Sequence, residues 1–141
     1  MIKTLYEPFQ KWSEKGSVWI ISDTHFEDVN CKDMDPNWVT PEEHIAILKK
    51  HIGKNDTLIH LGDVGNPEWM RKLRCYKVLI MGNHDQSKEK FDPYFNEVYT
   101  GPLTIGKKLI LSHEPLNIPW SLNIHGHEHS GFDENSPFSV A

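Results

Sequence analysis

Five short apolar runs each stop at a side chain able to bind a metal, and this pattern constrains the fold more than any other feature of the chain. Val18–Ile21 ends at Ser22-Asp23, Thr57–Leu61 at Gly62-Asp63, Lys77–Met81 at Gly82-Asn83 and Lys108–Leu111 at Ser112-His113. The fifth, Leu122–Ile124, runs into His125-Gly126-His127-Glu128-His129. Short runs of this kind, rich in Val, Ile and Leu, read as buried strands. Between the first two, Thr40-Pro41-Glu42-Glu43 has the form of a capping box with proline in the first turn. Behind it Ile45, Leu48 and Ile52 share one helical stripe, and Gly53 is a natural stop. Asn66-Pro67 opens another short helix that carries Trp69, Met70 and Leu73 inward. This strand–helix–strand–helix–strand order predicts an α/β layered domain with a parallel start.

The second half changes character. Thr104-Ile105-Gly106-Lys107 reads as a hairpin corner. Pro115 and Pro119 lie in a connection about as short as a parallel crossover permits, which argues against direct parallel pairing and for a mixed or second sheet. Phe138–Val140 is a candidate last strand. Near the start, Leu5, Phe9 and Trp12 form an apolar stripe, but Pro8 speaks against a simple helix. Residues 1–16 are therefore read as an N-terminal extension packed on a single domain spanning 1–141.

With 141 residues, 38% of them hydrophobic and 25% charged, the chain can bury a core without a metal to rescue it. A cluster of metal-binding side chains then points to function rather than to stapling. The net charge of −5, with no Lys/Arg run longer than two, disfavours duplex nucleic acid as a partner and leaves a short or single-stranded substrate compatible. Cys31 and Cys75 fall in no dense pattern and read as free thiols of a reducing compartment. Lys3, Glu7, Lys11, Glu14 and Lys15 interrupt the apolar stretches of the N-terminus, so no signal peptide is expected. No run approaches membrane-spanning length, and the expectation is a soluble cytoplasmic protein.

In open α/β sheets ligands bind beyond the carboxyl ends of the strands, so residues far apart in sequence would meet at one edge. Singly, an Asp or Asn after a strand only starts a turn, and a lone His is more often packed than ligating. The repetition is what carries weight, with Gly62, Gly82 and Gly126 permitting backbone that would strain other residues. Asp23 and His25 are two apart, so in extended backbone they point to the same face; His127 and His129 repeat the spacing, with Glu128 pointing away. Mixed carboxylate, imidazole and amide donors suit manganese, iron or zinc better than calcium or a thiolate-rich structural zinc site. Asp23, His25, Asp63, Asn83, His113, His127 and His129 are too many ligands for one tetrahedral ion and about right for two ions sharing a carboxylate.

Asp23-Thr24-His25, Gly62-Asp63, Gly82-Asn83-His84-Asp85, His113 and Gly126-His127-Glu128-His129 resemble the five ordered motifs of the calcineurin-like metallophosphoesterases, in particular a small bacterial and phage-type branch. The resemblance spans residues 23–129 and implies two mixed β-sheets packed as a sandwich and flanked by helices. It implies that Asp23, His25 and His129 bind one divalent ion, that Asn83, His113 and His127 bind the other, and that Asp63 bridges them. Manganese is the first candidate, with iron, zinc or nickel as alternatives. His84 would be the catalytic imidazole at the leaving group, oriented by Asp85, and metal-bound hydroxide would attack phosphorus in line. Two divalent ions less the charges of Asp23, Asp63 and a hydroxide leave the site net positive, which suits a phosphate ester. The implied activity is phosphodiester hydrolysis, with phosphomonoesters or nucleotides as related substrates and a homo-oligomer compatible.

Two features depart from the family pattern. The chain stops twelve residues after His129, and no insertion is large enough for a substrate-capping domain. Trp38, Trp69 and Trp120 read as core or subunit contacts more readily than as base-stacking surfaces. Two rival readings are a non-catalytic metal-binding scaffold, which the presence of His84 disfavours, and a phosphoprotein phosphatase. The latter generally has phosphate-clamping basic residues where Gln86-Ser87-Lys88 stands here.

Overall fold

Among the described residues two four-stranded sheets form the fold, and strand ends from both meet at one place. The computed structural model describes residues 3–4, 6–27, 39–81, 87–105, 109–119 and 121–126. The first sheet has the order β2-β3-β4-β5 and is parallel throughout, formed by β2 (Val18–Ile21), β3 (Thr57–His60), β4 (Tyr76–Ile80) and β5 (Glu97–Tyr99). The second has the order β1-β6-β7-β8, from β1 (Lys3–Thr4), β6 (Leu103–Ile105), β7 (Leu109–Ser112) and β8 (Leu122–His125). It is mixed, because β6 and β7 run antiparallel while its other pairs are parallel. The expected α/β layering is present, and only the second sheet is mixed.

Apolar residues occupy both faces of the first sheet, as expected for buried parallel strands. On one face Leu58 and Leu79 pack with Ile45 and Leu48 of α2 (Pro41–His51) and with Met70 and Leu73. Ile59, Leu61, Val78 and Ile80 turn to the other face and meet Leu103, Ile105 and Leu111 of the second sheet. Thr40 caps α2 as its sequence predicts, its Oγ1 accepting from the Glu43 amide at 3.2 Å. Asn66 likewise starts a 3-10 helix, Pro67–Lys72, by accepting from Glu68 N at 3.1 Å.

Two sequence expectations need correction. Residues Tyr6–Glu14 do form a helix, α1, in spite of Pro8. Proline lies within the first turn, where its missing N–H has no intrahelical acceptor to satisfy. Trp12 of this helix is buried in the core between the sheets, and β1 pairs with β6. Strands β7 and β8 pair directly in parallel, Leu109 opposite Leu122 through Ser112 opposite His125. Asn123 makes the short connection workable: its Oδ1 accepts from Leu116 N at 2.7 Å, and its Nδ2 donates to Ile110 O and Ser112 Oγ at 3.1 and 2.9 Å. Finally, β5 and the short α3 (Lys88–Phe91) carry no apolar run strong enough to announce them.

Candidate metal centre

The site grows from two loops that continue the β2–β3 pairing beyond the ends of both strands. Leu61 N donates to Ile21 O at 2.9 Å, Asp23 N to Gly62 O at 3.0 Å, His25 N to Asp63 O at 3.0 Å and Phe26 N to Val64 O at 2.9 Å. Asn66 N closes the series on Phe26 O at 2.9 Å. Gly65 lies opposite Phe26 with φ +81°, and a Cβ there would run into the Phe26 backbone. Only glycine allows the loops to approach this closely.

Asp23, His25 and Asp63 all adopt left-handed backbone, with φ of 55°, 43° and 55°. The expectation that Asp23 and His25 share a face because the backbone is extended is therefore wrong in its reason. Their side chains do converge, but through two left-handed residues flanking Thr24. Left-handed backbone costs on the order of 1–2 kcal/mol per residue. The inter-loop hydrogen bonds, at about 1 kcal/mol net each, are of a size to offset it. Strain held this way gathers where side chains must be aimed rather than where a fold is stabilised.

The aimed atoms meet. Donor atoms of Asp23, Asp63 and His113 lie within 4.8 Å of one another, a spacing able to hold an ion. His25 Nε2 stands 3.7 Å from Asp23 Oδ1 and 3.6 Å from Asp63 Oδ2. His113 arrives from the second sheet at the end of β7, its Nε2 3.4 Å from Asp63 Oδ2. Its other nitrogen, Nδ1, donates to the Leu61 carbonyl at 2.8 Å, which ties the sheets together and directs Nε2 toward the carboxylates. This is the usual arrangement of a metal-ligating histidine, with one ring nitrogen anchored on a carbonyl and the other presented to the ion.

Charges respond to this crowding. The hydrogen bond from His113, aided by the charges of His113 and His25, holds the Asp63 carboxyl below the usual carboxylate range against burial and Asp23. Burial works against a charged His113 ring, but Asp63, Asp23 and the Leu61 carbonyl outweigh it and raise its pKa to about 9. The carboxylates that would attract a cation thus also favour a proton on His113.

Gly126 follows β8 and donates its N–H to His113 O at 3.0 Å, adding one more step to the β7–β8 pairing. A Cβ at Gly126 would collide with Ser22 Oγ and Asp23 Oδ2. Its φ lies outside the left-handed region, unlike Gly62 at φ 106°, so close approach rather than conformation requires this glycine. Ser22 Oγ in turn donates to Asp23 Oδ2 at 2.5 Å. Asn83, His84, Asp85, His127 and His129 lie outside the described residues, as do Gly82, Cys31, Trp38, Trp120 and the strand expected at 138–140.

Sequence reasoning missed His60 and Thr24. His60 lies in β3, fully buried, with Gly62 N donating to its Nδ1 at 3.1 Å and Thr24 Oγ1 2.9 Å from its Nε2. A histidine among apolar neighbours two residues before a Gly-Asp pair was the available signal. Trp69 is partly buried and packs over Phe26, ring centroids 6.3 Å apart, which is a core contact. Cys75 is buried with a free thiol.

A cavity of about 650 Å³ lies at the other end of the first sheet, beside Thr57 and Tyr76 at the strand starts. Its Lys11, Lys15 and Lys54 are matched by Glu14, Asp56 and Glu97, so it favours neither charge and offers no ligand cluster. Among the described residues, the candidate ligands gather at the opposite edge, where Asp23, Asp63 and His113 meet.

The calcineurin-like phosphoesterase superfamily domain matches residues 17–136. The chain belongs to this superfamily. Its members are phosphoester hydrolases that bind divalent metals, and the donor set of Asp23, Asp63 and His113 fits such ions. A protein of unknown function from Aquifex aeolicus, AQ665, is similar at 27% identity and a TM-score of 0.65, over 86% of this chain and 83% of that one. The nuclease MPE of Pseudomonas putida shares the fold at 23% identity and a TM-score of 0.57, over 79% of this calcineurin-like chain and 61% of its own. No curated protein matches the sequence. Among the described residues no helix is long and apolar enough to cross a membrane.

Proposed function

We propose that this chain is a dinuclear metal-dependent phosphodiesterase acting on a small phosphate ester or nucleotide. The observation that carries the reading is the meeting of Asp23, Asp63 and His113 within 4.8 Å, where the edges of two sheets join. A single structural ion would not call for two carboxylates and further histidines held by strained backbone. The short distances from His25 to Asp23 and Asp63, and from His113 to Asp63, support a reading in which His25 completes one half of the site and Asp63 bridges two ions. Asn83, His127 and His129 would fill the remaining positions, as the family motifs imply.

Bound divalent ions supply Lewis acidity and acidify the attacking water. The chain's own part is to place them. Asp23 and Asp63 set the negative charge of the floor, His113 is aimed by Leu61, and the left-handed loops keep these groups from relaxing apart. His84 would donate a proton to the departing oxygen, with Asp85 fixing its ring. Gln86-Ser87-Lys88 after Asp85 holds one cation, Lys88, which pairs with Asp92 at 3.2 Å, and this counts against a phosphoprotein phosphatase and leaves a diester substrate as the better fit. The nuclease activity named for the Pseudomonas putida neighbour is in line with a diester substrate. The net charge of −5 favours a small or single-stranded one. Manganese is the metal we expect first, and the cytoplasm the compartment.

The test is hydrolysis of bis(p-nitrophenyl) phosphate and p-nitrophenyl phosphate by chelated protein resupplied with Mn²⁺, Ni²⁺ or Zn²⁺. The expected result is metal-dependent turnover, faster on the diester. His84→Ala should retain its metals while losing roughly 10²–10⁴ in rate, the usual worth of a proton donor. Equal rates in that variant would remove His84 from the mechanism. Two bound metals with no turnover on a broad panel would favour the scaffold.

A further inference from the structure

We propose that His60, as the neutral Nε2–H imidazole, is a positioning residue that locks the two ligand-bearing loops of the metal centre to each other. The inference rests on the metal-centre reading above. Its chemistry follows from the order of donors. Thr24 Oγ1 lies 2.9 Å from the Val64 carbonyl and 2.9 Å from His60 Nε2. A carbonyl only accepts, so the hydroxyl proton goes to Val64 and Oγ1 accepts from Nε2–H. On the other side of the ring, Gly62 N–H donates to Nδ1 at 3.1 Å, which requires a lone pair there. Both ring nitrogens are committed and one tautomer satisfies them.

The positions joined are telling. Thr24 sits between Asp23 and His25, and Gly62 directly precedes Asp63. The ring therefore spans the two left-handed turns that aim Asp23, His25 and Asp63. It is wholly buried, with Phe95 edge-on at 6.4 Å between centroids, so no solvent competes for either bond. A histidine serving only to fill the core would be replaceable by leucine with some loss of stability. One that sets the spacing of Asp23 and Asp63 would not be replaceable without loss of metal affinity.

The experiment titrates chelated protein with Mn²⁺ in wild type, His60→Leu, Thr24→Val, the double variant and His60→Gln, each checked as folded well below its melting temperature. Loss of support behind metal ligands typically weakens binding about 10–100-fold. The two single variants should fall in that range, and the double variant should be no worse than the weaker single, because both remove one link. His60→Gln, which returns an N–H donor toward Thr24, should recover at least part of the loss. Should His60→Leu fail to fold, Thr24→Val decides the question. Affinities within threefold of wild type in the folded variants would overturn the proposal, even if melting temperatures drop. Long-range ¹H–¹⁵N spectra of metal-free protein should show the Nε2–H tautomer at His60, and an Nδ1–H ring would equally overturn it. Wild-type protein that binds no Mn²⁺ would instead sink the metal-centre reading.

Discussion

A proton on His113 should compete directly with the metal. The ring donates Nδ1–H to Leu61 and turns Nε2 toward Asp63, and its pKa is raised to about 9. At pH 7 that lies about two units above ambient, so roughly one ring in a hundred presents a lone pair, a penalty of about 3 kcal/mol on the first ion bound there. Apparent Mn²⁺ affinity should therefore rise about tenfold per pH unit from pH 6.5 to 8.5 and level off near 9. Calorimetric titrations in two buffers of different ionisation enthalpy count the protons released, and close to one is expected at pH 7 for the ion that His113 binds. His113→Gln, which removes the proton along with the imidazole, should bind more weakly at high pH and lose this slope. An affinity that stays flat between pH 6.5 and 8.5, or binding without proton release, would refute the reasoning.

Two further predictions concern the same edge. Burial, aided by His44 and His113 and opposed by Asp23 and Asp63, pushes the His60 pKa down to about 3. Between that value and 6.5 the unfolded chain holds a proton that the folded chain refuses, so stability falls as pH drops. Urea unfolding of metal-free protein should show a loss of about 2 kcal/mol from pH 6.5 to 4.5, to which His44, also lowered by burial, adds with the same sign. His113 contributes no slope there, because its raised pKa gives stability that is fully present below 6.5 and lost only as pH rises toward 9. Equal midpoints at the two pH values would contradict the buried neutral ring. Gly126→Ala should force the end of β8 away from Ser22 and Asp23. It should lower Mn²⁺ affinity at least tenfold with the far-UV circular dichroism spectrum intact, and an unchanged affinity would show that this close approach does not shape the site.

Much of this architecture can be read from the chain because burial on both faces leaves a plain mark. Val18–Ile21 and the runs ending near Asp63 and His113 are strands for that reason, and their ends place Asp23, Asp63 and His113 at one edge. What cannot be read is set by contacts between segments distant in sequence. The left-handed backbone at Asp23, His25 and Asp63 exists because residues 21–26 and 61–66 pair with each other, and no local propensity encodes that pairing. Spacing alone suggested extended backbone, and it reached the right convergence by the wrong geometry. His60 looks like an ordinary strand residue until Thr24 and Gly62 are brought to its two nitrogens. The parallel pairing of β7 with β8 depends on Asn123, whose side chain has no periodic signature. Glycine at 126 was legible as glycine, but its purpose, room for Asp23, was not.

We propose that Asp23, Asp63 and His113 belong to a centre whose metals make the chain a phosphodiesterase. The most direct measurement is a Mn²⁺ titration of chelated protein in which bound metal and bis(p-nitrophenyl) phosphate turnover are followed together. Two ions should bind per chain, with turnover rising as the second binds and vanishing again on chelation. Turnover that survives chelation, or full activity with a single ion bound, would contradict it.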